Sequence, residues 1–483
     1  MIPRFLAQVK LWHLPPALCA LWLTGCSLAP TYQRPEPAVP ARLGQLALPA
    51  ETSQTPMRAG LNQAELKFVR DFSPANDLTP MLERALANNP DYRQAVLRVD
   101  QTRAQYRIEE ASRMPTIGAT ASRTRQHYSN EALEARYAQD LATATVGITD
   151  YEIDFFGRMK SLSDEARARY LETEYGRQAA RGALIAEVLK AYALAQIAGQ
   201  VREHREAAAL DGAALLEIAA RGQEVGIVAR DELDSQRSTS DELNVAAIQA
   251  ADDERAALRA LRFLVGYDVT LVPLAGGAAR MAPGSLAALQ ELDSEVLLQR
   301  PDILQAEAEL RASNANIGAA RAAFFPRISL TTTTGLASNS LSDLFSKGSR
   351  MWTFSPQLTL PIFDFGNNTA NLDLAKTRKA VSVAEYEKSV QTAFREVADA
   401  LDTQSTLTES EARQREQAER EQLRIERMLA RADRGLEDRR ALLAVRLRAT
   451  QATLAHLQSE RELALNRIAM FRAFYGIKLE TGL

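Results

Sequence analysis

Cysteine is nearly missing from this chain of 483 residues: two occur, Cys19 and Cys26. If Cys19 is lost with a leader, no intrachain disulfide and no cysteine metal cluster can form. Histidine is almost as scarce. His13, His127, His204 and His456 fall far apart, with no His-Glu-x-x-His spacing for a metal, and no Gly-x-Ser-x-Gly turn offers a nucleophile. The carboxylates are interleaved with Arg and Lys, as on solvated helix faces. An enzyme has no constellation to stand on: no catalytic and no metal residues are expected. No charge of one sign dominates either, since Lys+Arg 58 against Asp+Glu 61 leaves −3. That argues against a nucleic-acid partner. Long apolar runs are absent. The best of them, Leu11 to Leu23, is broken by His13, Pro15 and Pro16 and is short of the ~20 residues a spanning helix needs. Proline itself disappears after Pro361, so nothing of that kind interrupts a helix from there to the C-terminus.

What the N-terminus does have is the layout of an export signal over residues 1–25: Arg4 and Lys10, then the short apolar segment, then Thr24 and Gly25. Its loss would take the net charge to −5. Leu23-Thr24-Gly25-Cys26 resembles a bacterial lipobox, in which the cysteine receives acyl chains and becomes the new N-terminus; two or more chains hold a protein on a bilayer stably. An ordinary signal with a chance cysteine is the alternative. Ser27, rather than Asp, resembles lipoproteins sent on to the outer membrane of a Gram-negative cell. Residues 26–75 are then expected to form a lipidated, proline-spaced N-terminal strap.

The rest of the chain repeats itself. Asn89-Pro90-Asp91 is echoed by Arg300-Pro301-Asp302, and Met114-Pro115-Thr116-Ile117 by Phe325-Pro326-Arg327-Ile328, both at an offset of 211. Ile153-Asp154-Phe155-Phe156-Gly157 answers Ile362-Phe363-Asp364-Phe365-Gly366, and Val225-Gly226-Ile227 answers Arg434-Gly435-Leu436, at 209. Two copies of one unit follow, residues 76–273 and 286–483, joined by a glycine-rich linker over 274–285. The linker lacks the Gly-Lys-Ser/Thr ending of a phosphate loop. Each copy reads as a helix, a strand pair and a long helical hairpin. Helices are expected at about 80–112, 158–222 and 228–265, then at about 291–323, 366–433 and 437–474. Leu443, Leu447, Thr450, Leu454, Leu457, Arg461, Ala464 and Ile468 follow coiled-coil steps, with Arg461 the misfit in the seam. Val383, Tyr386, Val390, Ala393, Val397 and Ala400 mark a seam on the preceding helix, as Leu184, Val188, Ala191, Ala195 and Ala198 do in the first copy.

Strands are expected at about 115–125, 141–155, 326–336 and 351–363. From Trp352 to Ile362 the residues Trp352, Phe354, Leu358, Leu360 and Ile362 alternate with Thr353, Ser355, Gln357 and Thr359, one greasy face against one wet face. About 10 alternating residues with an aromatic at the end fit a transmembrane barrel strand; a small soluble sheet capping a helical bundle also fits. If the strands do cross a membrane, four cannot close, because an open edge is not tolerated in hydrocarbon. Two chains would make a barrel nearly filled by its own side chains, and three would leave a lumen.

These residues resemble the outer-membrane lipoproteins of tripartite RND-type efflux pumps, the TolC/OprM superfamily, across essentially the whole mature chain. Ala29-Pro30-Thr31-Tyr32-Gln33-Arg34-Pro35 is similar to the family's Gly-Pro-x-Tyr-x-Arg-Pro after the lipid cysteine. Tyr151-Glu152-Ile153-Asp154-Phe155-Phe156-Gly157-Arg158 resembles its Trp-Glu-x-Asp-Leu-Phe-Gly-Arg, and Pro361 to Gly366 the second-copy version. The resemblance implies a mainly α fold with a transmembrane β-barrel, built as a homotrimer: a twelve-stranded barrel in outer-membrane lipid and a periplasmic α-helical tunnel. It implies a periplasmic adaptor protein and an inner-membrane RND-type pump as partners, and passive export of drugs or other small amphiphiles. No cofactor is implied beyond the covalent lipid on Cys26, and the strap would lie along the outside of the tunnel. Val225, Gly226 and Ile227, with Gly435 and Leu436, resemble the hairpin tips that adaptors grip. The acidic pair that often constricts the entrance is replaced here by Ala441 to Ala444. Asp433, Glu437 and Asp438 are the nearby substitutes, as gate or as a plain solvated helix end; Asp231, Glu232 and Asp234 invite the same two readings. A periplasmic coiled-coil scaffold lipoprotein and an outlet for a secreted polypeptide are the other functions these features allow.

Overall fold

The computed structural model describes residues 29–34, 60–74, 77–266 and 291–477. The chain divides into two units, residues 1–52 and 53–483. In the first, residues 29–34 hold no helix or strand, and Tyr32 is exposed. Cys26, the leader and the 274–285 linker lie outside the described residues.

In the second unit, α1 (Gln63–Phe72) starts at a reciprocal cap: Asn62 Oδ1 accepts from the Glu65 N–H and Glu65 Oε2 from the Asn62 N–H, both at 2.8 Å. The sequence predicts a single helix over 80–112; the structure has two, α2 (Thr79–Asn88) and α3 (Pro90–Ala111). Pro90 forces Asn89 out of the helical region, to φ −65°, ψ 123°. Asn89 then caps the new start, its Oδ1 accepting from the N–H groups of Asp91 and Tyr92 at 3.0 Å. The second copy repeats the correction. Over 291–323 a 3₁₀ turn, Ser294–Gln299, precedes α7 (Pro301–Ala322), with Arg300 extended before Pro301. The echoed Pro-Asp pair is thus a helix start.

Between these lie β1 (Ile117–Gln126), α4 (Glu131–Tyr137) and β2 (Gln139–Glu152), followed by the hairpin of α5 (Arg158–Glu224) and α6 (Arg230–Val265). After α7 come β3 (Arg327–Ser338), β4 (Arg350–Thr359), α8 (Asn367–Ala432) and α9 (Arg439–Ala473). The strand expected over 351–363 ends at Thr359, which pairs with Arg327, the first residue of β3, so the ladder has no partner beyond it among the described residues. The one expected over 141–155 ends at Glu152, past a bulge between Ile148 and Tyr151 where Asp150 takes φ +52°. With no proline inside them, α5 and α8 run for 67 and 66 residues, about 100 Å each at 1.5 Å per residue.

The four strands form one antiparallel sheet in the order β1-β2-β3-β4, so each copy's hairpin joins the other along β2 and β3. At that seam the backbones approach closely. A Cβ on Gly147 or Gly335 would stand 2.1 Å from the carbonyl oxygen of Thr332 or Ala144, which leaves glycine as the residue that fits.

Among the described residues the main apolar core is a knot of helices. Phe72, Leu82, Leu86, Ile185, Val188, Leu189, Tyr192, Leu261, Val265, Leu463 and Ile468 are all buried there, drawn from α1, α2, α5, α6 and α9. The seam read from Leu184 to Ala195 lies inside it. On α9, Leu443, Leu457, Ala464 and Ile468 are buried while Leu447, Thr450, Leu454 and Arg461 are half-buried. Away from the sheet the helices pack side by side as α6–α5–α9–α8, and nearer the sheet as α3–α5–α7–α8. Both layers leave their outer helices uncovered, just as the sheet leaves β1 and β4 unpaired among the described residues. Those outer helices expose apolar side chains: Leu97 and Ile108 on α3, Val245, Ile248 and Phe263 on α6, and Leu374, Val381, Phe394, Leu423 and Leu429 on α8.

Candidate membrane sheet and hairpin tips

Trp352, Phe354 and Leu358, at alternate positions on one face of β4, are 76%, 59% and 63% exposed. A folded chain that leaves such residues in the open needs a partner for them, and a ladder of this length reaches across hydrocarbon. At the other end of the strands, where helices begin, aromatics gather again. Phe156 stacks on Phe325 at 4.8 Å and Phe363 meets Phe365 edge-on at 4.6 Å, all four exposed.

The echoed Asp-Phe-Gly stretch is the device that turns a strand into a long helix. Asp154 accepts from the N–H groups of Met159 (3.2 Å) and Lys160 (2.8 Å), and Asp364 from those of Gly366 (3.0 Å) and Asn368 (2.9 Å). Gly157 and Gly366 follow at φ +73° and +85°, a conformation open to glycine at little strain. The Asn368 and Gly366 N–H groups hold the Asp364 carboxyl below its usual range. Glu152, nearly buried, locks the first junction: Arg158 donates to both its oxygens at 2.7 and 2.6 Å, and Arg327 lies 2.8 Å away. That tie between β2, α5 and β3 was not legible in the sequence, because Arg327 stands far from Glu152 in the chain.

At the opposite end the two hairpins turn in the same way. Ile227 donates to the Gly222 carbonyl and Leu436 to the Arg431 carbonyl, at 2.9 and 3.0 Å. Gly226 and Gly435 sit at φ +73° and +71°, the left-handed residue of a helix-ending motif. Val225, Ile227 and Leu436 are 71%, 81% and 64% exposed, so each tip presents an apolar knuckle. Of the acidic substitutes, Asp433 and Asp438 are exposed at the ends of α8 and α9. Glu437 is engaged by Arg431 at 2.7 Å across the turn. The structure adds a pair that the sequence did not single out as such: Arg440, opening α9, donates to Glu232, in the first turn of α6. One hairpin is thereby tied to the other at the tip. A second tie lies higher, where Arg446 of α9 meets Asp211 of α5 at 3.1 Å. Burial raises the Asp211 carboxyl and Arg446 opposes the rise.

Nearer the sheet, α5, α7 and α8 bring Glu172, Glu309 and Glu385 towards one another. Burial, followed by the charge of Glu309, pushes the Glu172 carboxyl up to about 7.

The sequence pattern of the family described as outer membrane efflux protein matches residues 81–267 and 292–474. The two segments coincide with the two copies. The outer membrane protein OprJ of Pseudomonas aeruginosa is 37% identical over 95% of this chain and 94% of its own. The solvent efflux pump outer membrane protein SrpC of Pseudomonas putida is 40% identical over 81% of this chain and 82% of its own. A crystal structure of a membrane protein from Pseudomonas aeruginosa superposes with TM-score 0.72 at 34% identity, covering 93% of this chain and 100% of that one.

Proposed function

The chain belongs to the outer membrane efflux protein family, and from that premise we propose that three copies pool their sheets into one barrel and their helices into one tunnel. It is the outer-membrane channel component of a tripartite efflux system, extending from a Gram-negative outer membrane into the periplasm. One observation carries the proposal: a sheet of four strands with an exposed apolar face and, among the described residues, two unpaired edges. Hydrocarbon does not tolerate free backbone N–H and C=O groups, so β1 of one copy pairs with β4 of the next. Three copies give twelve strands and a lumen. The uncovered helices repeat the logic, since α6 and α3 of one copy meet α8 of its neighbour.

The duct is passive, and an inner-membrane RND-type pump supplies the energy through a periplasmic adaptor. The exposed knuckles Val225-Gly226-Ile227 and Gly435-Leu436 are the adaptor's docking points. Small organic amphiphiles are the cargo, a reading supported by the identity to a solvent-pump relative. Nothing here acts as a catalyst. Cys26 carries the lipid anchor, and its strap is shorter than residues 26–75, because α1 already packs Val69 and Phe72 into the helical core. The resting entrance is narrowed by the tips, where Asp433 and Asp438 come together as three copies each. The Glu232 to Arg440 tie keeps the hairpins of one copy from splaying.

Reconstitution into planar bilayers tests this reading. The intact protein should show small or rare conductance steps, and Glu232→Gln should raise their size or frequency by releasing the tie. A purified oligomer that never conducts, even with both tips deleted, contradicts a channel.

A further inference from the structure

Arg461 breaks the apolar seam of α9, and the structure shows what it faces. Ile197, Val201 and Arg205 lie at four-residue steps on one side of α5, and Leu454, Gln458 and Arg461 lie on one side of α9; together they line a cavity of about 390 Å³ between the two helices. That volume is within the range of small-molecule sites, about 300–1,000 Å³. Both arginines are half-buried, and among the described residues neither guanidinium has an ion-pair or hydrogen-bond partner. Their neighbours along the same helices are paired: Arg202 with Glu206 and Glu254, Arg446 with Asp211, Arg448 with Glu421. A guanidinium presents a planar fork of N–H donors that matches a carboxylate or a phosphate.

The helices are antiparallel, and the Arg446 to Asp211 pair fixes their register. Counting from it at 1.5 Å per residue, Arg205 stands near the level of Ala452 and Arg461 near that of Gln196, about 13 Å apart along the axis. The cavity therefore has a cation at each end and Val201 and Leu454 in between. A neighbouring copy does not supply the missing acids, because copies meet along the outer helices α6, α3 and α8 whereas α5 and α9 are the inner pair of the layer.

We infer that this cavity binds an elongated amphiphilic dianion, two carboxylates joined by an apolar chain, one at each guanidinium. The planar fork of arginine takes a carboxylate through two parallel hydrogen bonds, and the chain covers Val201 and Leu454, releasing water from apolar surface. The site stands within one chain and does not depend on the identity of the exported cargo.

Decanedioate is the probe, titrated calorimetrically into the detergent-solubilised full-length protein, with decane-1,10-diol as the uncharged counterpart of the same length. The expected result is saturable binding of one decanedioate per chain, weakened by added salt, and no saturable binding of the diol. Arg205→Gln or Arg461→Gln alone should weaken it severalfold, and the double variant at least tenfold. Val201→Glu, which places an acid inside the cavity, should abolish it while helical content and particle size stay unchanged. The inference is overturned by absence of saturable binding at millimolar decanedioate, by equal binding of the diol, or by unchanged affinity in a folded double variant.

Discussion

Glu65 is a carboxylate with almost no solvent contact, and its position is tenable because donors surround it. Arg181 reaches both oxygens at 2.8 Å, the Asn62 N–H one of them and the Tyr475 hydroxyl the other, each also at 2.8 Å. Burial pushes this carboxyl up, but Arg181, Asn62 and Tyr475 together hold it below its usual value. A depressed carboxyl stabilises the fold above its unfolded pKa, and that contribution is lost as pH falls through the folded value. Glu65→Leu leaves Arg181 buried without its counter-charge, a loss of about 3–5 kcal/mol. Thermal unfolding of the detergent-solubilised protein followed by circular dichroism should show a midpoint well below that of the native chain, and an equal midpoint contradicts the clamp. Glu172 has the opposite sign. Its carboxyl is raised to about 7 by burial and by Glu309, so the stability it contributes is complete below the unfolded pKa and is lost as pH rises through about 7. Glu172→Gln should melt higher than the native chain at pH 8, and the gap should shrink towards pH 5. A gap independent of pH would show that Glu172 does not titrate in this range. Arg181, Tyr475 and Glu309 could not be read as partners from the sequence. Glu65, Arg181 and Tyr475 lie far apart along the chain, and periodicity reports faces, not pairs.

At the scale of elements the sequence was more informative, because the physics there is local. Period-two alternation located β4 and its greasy face, and the absence of proline after Pro361 permitted α8. Pro90 and Pro301 split helices that the apolar pattern ran together, since the pattern continues across the break while the backbone does not. The Asp-Phe-Gly echo was visible as a repeat, but its work as a strand-to-helix cap needed coordinates: Asp154 and Asp364 do the same task from positions offset by one residue relative to Gly157 and Gly366. The alternation of β4 gives a paired test. Phe354→Arg puts a charge on the lipid face, unfavourable by about 2–4 kcal/mol near mid-bilayer, whereas Ser355→Arg points it the other way. The first should lose the heat-modifiable band on unheated SDS gels and the second should keep it. Equal behaviour of the two would remove the distinction between the faces.

For the molecule as a whole, the two copies were legible and their closure followed from counting strands. The inter-hairpin tie at the tips was not, because Glu232 and Arg440 come from different copies and meet only after both hairpins have folded. The lipid proposed on Cys26 has its own test, since Cys26→Ser separates anchor from barrel. The variant should remain in the membrane after carbonate extraction, held by its strands; release into the soluble fraction would mean that the acyl chains alone had held it. The account rests most heavily on the number of copies that share the pore. Native mass spectrometry of the particle released from detergent measures that number directly. Three chains are predicted, and a stable monomer would contradict the closed barrel on which the function depends.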